Sequence, residues 1–326
     1  MTDDTHNERL RKAMSEPEEA IMLQAVWMYY DESLTQQEIA DKLQVSRVSI
    51  TRLLKQARER GIVQFQITKN LPEPLKLSRE LQKSFGLKRV IIAESQLTRE
   101  QTLHSIGKAG AKHLDDIIEP GIRIGFGWSG AIGYMGRYIA PRRAKVSFFV
   151  NDLAGHMLGR DNPYSIGLKV AEAYSCNFEP LSVPMIMQDD EAKKTIIKEP
   201  HIERAFRNAE RCDVAFVGVG AASSLNTSVS AGYISEHEMT EIRNQGAIGE
   251  ILIRFYNREG NPVSTLVDDR AMTLNWKCIK KIPYIVVLAV GSEKVEAIAG
   301  SIRARICHCL ITDTLTAKEL LSFNEP

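Results

Sequence analysis

From Leu75 onward, short runs of β-branched and aromatic residues alternate with stretches of helical periodicity, and this alternation narrows the accessible folds more than any other feature. The runs are Val90–Ala93, Ile122–Phe126, Val146–Val150, Val214–Val217, Ile251–Tyr256, Tyr284–Leu288 and Cys309–Thr312. Strands separated by helices of roughly ten to twenty residues pair in parallel through crossovers, which predicts βαβ units and a mostly parallel sheet. In such a sheet, ligands collect at the carboxyl ends of the strands. Asn257–Asn261, between Tyr256 and Val263, reads as a hairpin-type turn and predicts one antiparallel interruption.

Residues 17 to 61 read as helix, broken only by short polar turns. In the helix from Pro17 to Tyr30, the apolar residues recur at spacings near three and four, the period of one buried helix face. Trp27, Tyr29 and Tyr30 cover more of its circumference than one core face needs, which leaves two expectations, contact with another subunit or domain or packing of all three within the helical unit itself. A second helix follows Thr35, an N-cap with Glu38 in capping-box position, and a third opens at Ser46 and stops at Gly61. Ile62–Ile67 alternates as a strand would, and the two prolines of Leu71-Pro-Glu-Pro74 mark a linker. The expected organisation is a helical unit over 1–70 and a larger α/β unit over 71–326.

Gln36–Lys55 has the pattern of a helix-turn-helix. Ala40 is the small residue needed where two helices cross, and Ile39, Leu43, Val45, Ile50 and Leu53 form the apolar set. Arg47, Ser49, Thr51, Arg52 and Lys55 then face outward, with Thr35, Gln36 and Ser46 at the helix starts. Such side chains reach phosphates and base edges in a major groove. The turn commonly uses a positive φ, and Gln44 occupies the position where glycine would be favoured.

The whole chain has 42 Lys+Arg against 41 Asp+Glu, so any nucleic-acid partner must be read from local clustering. From Ser33 to Lys69 there are seven basic residues and three acidic ones, which supplies that local excess. With 326 residues, 44% of them hydrophobic, the chain is too long and too apolar for a disordered tail or a disulfide-stapled mini-protein. The first twenty residues are polar, and Ile282–Val290 is too short to cross a bilayer, which predicts a cytoplasmic protein without membrane association. Five scattered cysteines fit reduced thiols, and the Cys307-His308-Cys309 spacing is that of strand neighbours and not of a zinc site. His104, His113, His156, His201 and His237 form no base-and-nucleophile grouping, so no catalytic residue, metal or cofactor is expected.

Glycines collect after three of the expected strands: Gly125, Gly127 and Gly130 around Ser129; Gly155 with Gly159; and Gly218 with Gly220. Backbone amides in such loops can approach a ligand closely, and the Ser129 hydroxyl could add a hydrogen bond. Neither a dinucleotide fingerprint nor a phosphate-binding loop motif occurs. Glu250 could accept hydrogen bonds from sugar hydroxyls, and Lys294 could pair with a phosphate or carboxylate.

LTQQEIADKLQVSRVSITRLLKQARERGIV, GYISEHEMTEIRNQGAIGEI and the terminal AVGSEKVEAIAGSIRARICHCLITDTLTAKELL together resemble the SorC family of bacterial sugar-responsive transcriptional regulators, from about Glu19 to Leu321. The resemblance implies a winged-helix-like reader of operator DNA joined to an effector domain with the fold of sugar-phosphate isomerases and deaminases, usually as a homotetramer. It also implies an effector held by the loop Gly125–Ala131, by Glu250 and by Lys294. Two positions depart from the family pattern. Only Ser129 offers a hydroxyl where a phosphate-side threonine is common, and Ser292 replaces the second glycine before the lysine. A free sugar, a polyol and a phosphorylated form therefore all stay open. The competing expectation is a sugar-phosphate isomerase or deaminase with a helical extension, for which Glu250 and Lys294 would be the acid/base pair.

Overall fold

The helix over 18–30 (α1) buries Met22 and Ala25, one turn apart, against α2 (Gln36–Leu43) and α3 (Arg47–Glu59). The computed structural model describes residues 18–65, 71–141, 147–156 and 163–323. Within α3, Ile50, Leu53, Leu54 and Ala57 are buried at the i, i+3, i+4, i+7 spacing that places them on one stripe. They close a small core with Ile39 and Ala40 of α2. Thr35 and Glu38 form the expected capping box, and Ser46 caps α3 through the Ser49 N–H. Gln44 takes the left-handed conformation at φ 53°, as the turn requires.

The expected strand Ile62–Ile67 is not formed over 62–65, which has no ladder partner among the described residues, and its last two positions lie outside them. A lone strand leaves its backbone groups without a ladder. The prolines of Leu71–Pro74 also open a helix. Pro72 is the N-cap of α4 (Glu73–Phe85) and Pro74 lies in its first turn, where a missing N–H has no consequence. Contacts divide the chain into two compact units, Met1–Asn70 and Leu71–Pro326.

The larger unit is built on seven strands: β1 (Arg89–Ala93), β2 (Arg123–Phe126), β3 (Phe149–Asp152), β4 (Asn177–Glu179), β5 (Val214–Gly218), β9 (Tyr284–Leu288) and β10 (Cys309–Asp313). They form one sheet in the order β1-β10-β9-β5-β2-β3-β4, and every pairing is parallel. Successive side chains of a strand face opposite sides. Accordingly Val214, Phe216, Val286 and Leu288 enter one core, with α5 (Arg99–Ile117), α6 (Gly130–Met135) and α7 (Pro163–Tyr174). Ala215, Val217, Ile285 and Val287 enter the other, which includes Leu77 and Leu81 of α4 and residues of the last two helices, α13 (Val295–Arg303) and α14 (Thr314–Phe323). Between α7 and these run α8 (Asp190–Ile196), α9 (Pro200–Ala209), α10 (Thr227–Ser230), α11 (Glu236–Asn244) and α12 (Trp276–Ile279).

The expected strand Ile251–Tyr256 is instead a hairpin. Strand β7 (Gly249–Ile251) turns through Leu252 and Ile253 into β8 (Arg254–Tyr256), and β6 (Gly220–Ala221) completes a three-stranded antiparallel sheet. Both turn residues have positive φ, 52° and 58°, although neither is of a type that favours it. The turn persists because both side chains are buried and the Glu250 carboxylate accepts the Ile253 N–H at 2.9 Å. The Asn257–Asn261 turn is present beyond it, with an isolated antiparallel bridge between Tyr256 and Pro262. Buried Arg254 is satisfied by Asp268 and by the carbonyls of Thr273 and Leu274.

A candidate DNA-reading helix and a candidate effector cavity

On α3, burial of Ile50, Leu53, Leu54 and Ala57 turns Arg47, Val48, Thr51, Arg52 and Lys55 outward as one contiguous face. Several hydroxyl and amide residues expected at the DNA are already engaged. Thr35 caps α2, Ser46 and Ser49 bond to each other at the start of α3, and the Thr51 hydroxyl donates to Gln36 Oε1 at 2.8 Å, tying the two helices. Arg52 pairs with Glu18 at 3.1 Å and Lys55 with Glu59 at 3.7 Å, both fully on the surface. Exposed pairs of this kind exchange readily for phosphate contacts, being worth about 1 kcal/mol or less. Val48 was missed by the sequence reading. It is 78% exposed beside Arg47, and an apolar side chain at that place can meet a thymine methyl.

In the larger unit, the chain runs from β2 to β3 and β4 on one side and returns with β5 on the other side of β2. The strand order therefore reverses between β2 and β5, and a crevice opens beyond their carboxyl ends. A cavity of about 410 Å³ lies there, lined by the loops after β2, β5 and β9. It brings together Ser129, Gly130, Gly218, Gly220, Glu250 and Lys294.

Glycine is required at two of these positions by close approach. A Cβ on Gly218 would stand 2.2 Å from Ser129 Cβ, and one on Gly220 would stand 2.2 Å from Glu250 Oε1. Glu250 is only 7% exposed, and burial raises its carboxyl above the ordinary value against the opposing pull of the Ile253 N–H, Asn226 and Lys294. Asn226 is itself braced, its amide donating to the Ala221 carbonyl while its Oδ1 accepts from Ser228. Lys294 follows Gly291, whose φ of 117° sets up the short 3-10 turn Ser292–Lys294. At the mouth, Arg99 and Glu293 pair at 2.7 Å.

Gly125, Gly127 and Gly155 do not line the cavity. Gly125 lies within β2, where a Cβ would meet Leu153 Cδ2 at 2.3 Å, and Gly127 admits the Leu252 side chain of the strained turn. Gly155 follows β3, on the side of β2 away from β5, and packs against the carbonyls of Val183 and Pro184. Gly159 lies outside the described residues. Conversely, Trp128, Asn226 and Arg99 line the cavity and were not singled out from sequence. Only Trp128, between Gly127 and Ser129, carried a signal by position. No metal-ligating cluster occurs among the described residues.

A family model for sugar-binding domains matches residues 69–322, and one for region 4 of sigma-70 matches residues 18–60. The transcriptional regulator YjhU of Escherichia coli (strain K12) is 30% identical over 313 residues, covering 94% of this chain and 95% of that protein. The crystal structure of the full-length sorbitol operon regulator SorC from Klebsiella pneumoniae superposes with a TM-score of 0.73 at 28% identity, covering 93% of this chain and 98% of the other. The chain belongs to the SorC family of bacterial sugar-binding transcriptional regulators. Another relative, the erythritol catabolism regulatory protein EryD of Brucella abortus (strain 2308), is 29% identical and covers 94% of this chain and 98% of its own length.

This SorC-family chain is therefore a DNA-binding transcriptional regulator whose operator affinity is controlled by a small carbohydrate-like effector. The isomerase or deaminase reading is set aside, because the proteins matched over nearly their full length are regulators. Among the described residues, no helix is long and apolar enough to cross a membrane.

Proposed function

We propose that the cavity over β2, β5 and β9 is the effector site and that α3 reads the operator, in a cytoplasmic homo-oligomer. Residues 1–70 would serve DNA binding, and residues 71–326 effector binding and subunit assembly. One observation carries the effector reading: Glu250 and Lys294, on separate loops, line the same cavity as Gly218, Gly220 and Ser129. A carboxylate accepts hydroxyl protons and an ammonium pairs with an anionic group, so the site suits a compact sugar or polyol, free or phosphorylated. Two relatives are named for the polyols sorbitol and erythritol, which supports that class. Exposed Leu23 and Trp27, one helical turn apart on α1, are compatible with a subunit contact.

The test begins with a thermal-shift screen of the full chain against sugars, polyols and their phosphates, since a ligand of the folded state raises the melting temperature. The strongest hit is then added to operator-binding assays of wild type, Lys294→Ala and Glu250→Gln. Both variants should bind operator normally without the hit and lose the response to it. Wild-type responses from both would place the effector elsewhere. Light scattering that finds a monomer at micromolar concentration would defeat the oligomer.

A further inference from the structure

A second cavity, of about 460 Å³, opens at the amino ends of β1 and β10, the edge of the sheet opposite the effector cavity. Its walls are the end of α4 with Gly86 and Lys88, the end of α13 with Arg303 and Arg305, and His308 before β10. Four of its lining residues are basic or imidazole, and none is acidic.

The donors are set by their surroundings. His308 Nδ1 accepts the Ile285 N–H at 3.1 Å, so the neutral ring carries its proton on Nε2 and is fixed as a donor there. Its pKa is lowered by burial and then by the positive charge of Lys88. Lys88 donates to the Pro283 carbonyl at the long distance of 3.4 Å, and its ammonium lies 6.0 Å from the Tyr284 ring centroid. Arg303 donates to the Arg258 carbonyl and lies over the Phe323 ring.

Arg305 is the most telling residue. It holds φ 58° just past the end of α13, where glycine is the favoured residue, and no ion pair engages its guanidinium among the described residues. Basic side chains at helix ends also offset helix dipoles. That effect needs neither a left-handed arginine nor a histidine held in one tautomer among the residues lining the same cavity.

We propose that this cavity binds a small phosphorylated anion, through Lys88, Arg305 and the His308 Nε2–H, at a site separate from the effector cavity. The volume suits a small metabolite, and charge-assisted donors on several sides suit the tetrahedral oxygens of a phosphate.

Inorganic phosphate is the probe, titrated into the full chain by calorimetry against chloride at equal ionic strength, with the His308 ring followed by NMR. Arg305→Asn keeps a residue tolerant of the left-handed backbone, Lys88→Gln keeps length, and Lys294→Ala reports on the other cavity. In wild type and in Lys294→Ala, phosphate should shift the His308 resonance over the same concentration range. The Lys88→Gln/Arg305→Asn double variant should bind about tenfold or more weakly, the loss expected for charge-assisted hydrogen bonds. The proposal is overturned if wild type shows no binding beyond chloride. It is equally overturned if the double variant binds as wild type does, or if Lys294→Ala alone removes the binding, which would place the anion in the effector cavity.

Discussion

Replacing Asp152 by asparagine should remove a large share of the pH dependence of stability. Asp152 is the last residue of β3 and is 1% exposed. Its Oδ2 accepts the Leu181 N–H at 3.0 Å, while Oδ1 has no partner among the described residues. Burial pushes the carboxyl from 3.8 up to about 7, against the smaller opposing pull of the Leu181 N–H. The folded state thus keeps a proton through a range in which the unfolded chain has released it. With the folded value raised, the stability from that proton is fully present below the unfolded value and is lost as pH rises through the folded one.

A tenfold change in proton affinity is worth about 1.4 kcal/mol, so the displacement corresponds to about 4 kcal/mol lost between about pH 4 and pH 8. Asp152→Asn cannot ionise and still offers a carbonyl oxygen to Leu181. Urea unfolding of both proteins, followed by circular dichroism across that range, isolates the contribution as the difference between them. The wild type should lose about 4 kcal/mol relative to the variant from the acid to the alkaline end. Parallel curves, with a difference constant to within about 1 kcal/mol, would refute a buried proton on Asp152.

Gly220→Ala drives a methyl to within 2.2 Å of the Glu250 carboxylate and 2.6 Å of the Asn226 amide. It should cost about 1–3 kcal/mol in urea unfolding and abolish the effector response while operator binding persists; an unaltered response would show that the cavity is not the effector site. Gln44→Gly relieves the left-handed residue of the turn and should stabilise the helical unit by about 1 kcal/mol, read as a raised melting temperature, whereas a lowered one would contradict the conformation at φ 53°. Arg52→Ala should weaken binding to a native operator fragment by about 1–3 kcal/mol at matched salt, measured by fluorescence anisotropy, if Arg52 reads a base edge. Wild-type affinity in that variant would exclude Arg52 as a reader.

What could be read from the sequence is what neighbouring residues decide among themselves. The capping box of Thr35 with Glu38, the apolar positions Ile50 and Leu53 of α3, and the β-branched runs of the parallel sheet are all local, fixed by helical or strand period. The Leu252–Ile253 turn was hidden because its residues look like the middle of a strand. Only the buried Glu250 carboxylate and the surrounding core make that backbone tolerable. The short strands β4 and β6 escaped for a related reason, since each is defined by the partner it pairs with.

The same division runs through the candidate site. Sequence identified the glycine loops and the two charged residues, but every strand end looked equivalent in it. Which loops share a cavity depends on strand order: β5 lies beside β2 and gathers Gly218, Gly220 and Ser129, while β3 lies on the far side and carries Gly155 away. Exposure divides the same way, because Val48 becomes available to a partner only once the buried stripe of α3 has been chosen by its packing. Period and capping act over a few residues and are written in the chain. Adjacency of strands and the desolvation of Asp152 and Glu250 depend on segments far apart in sequence, and only the packed tertiary structure brings those together.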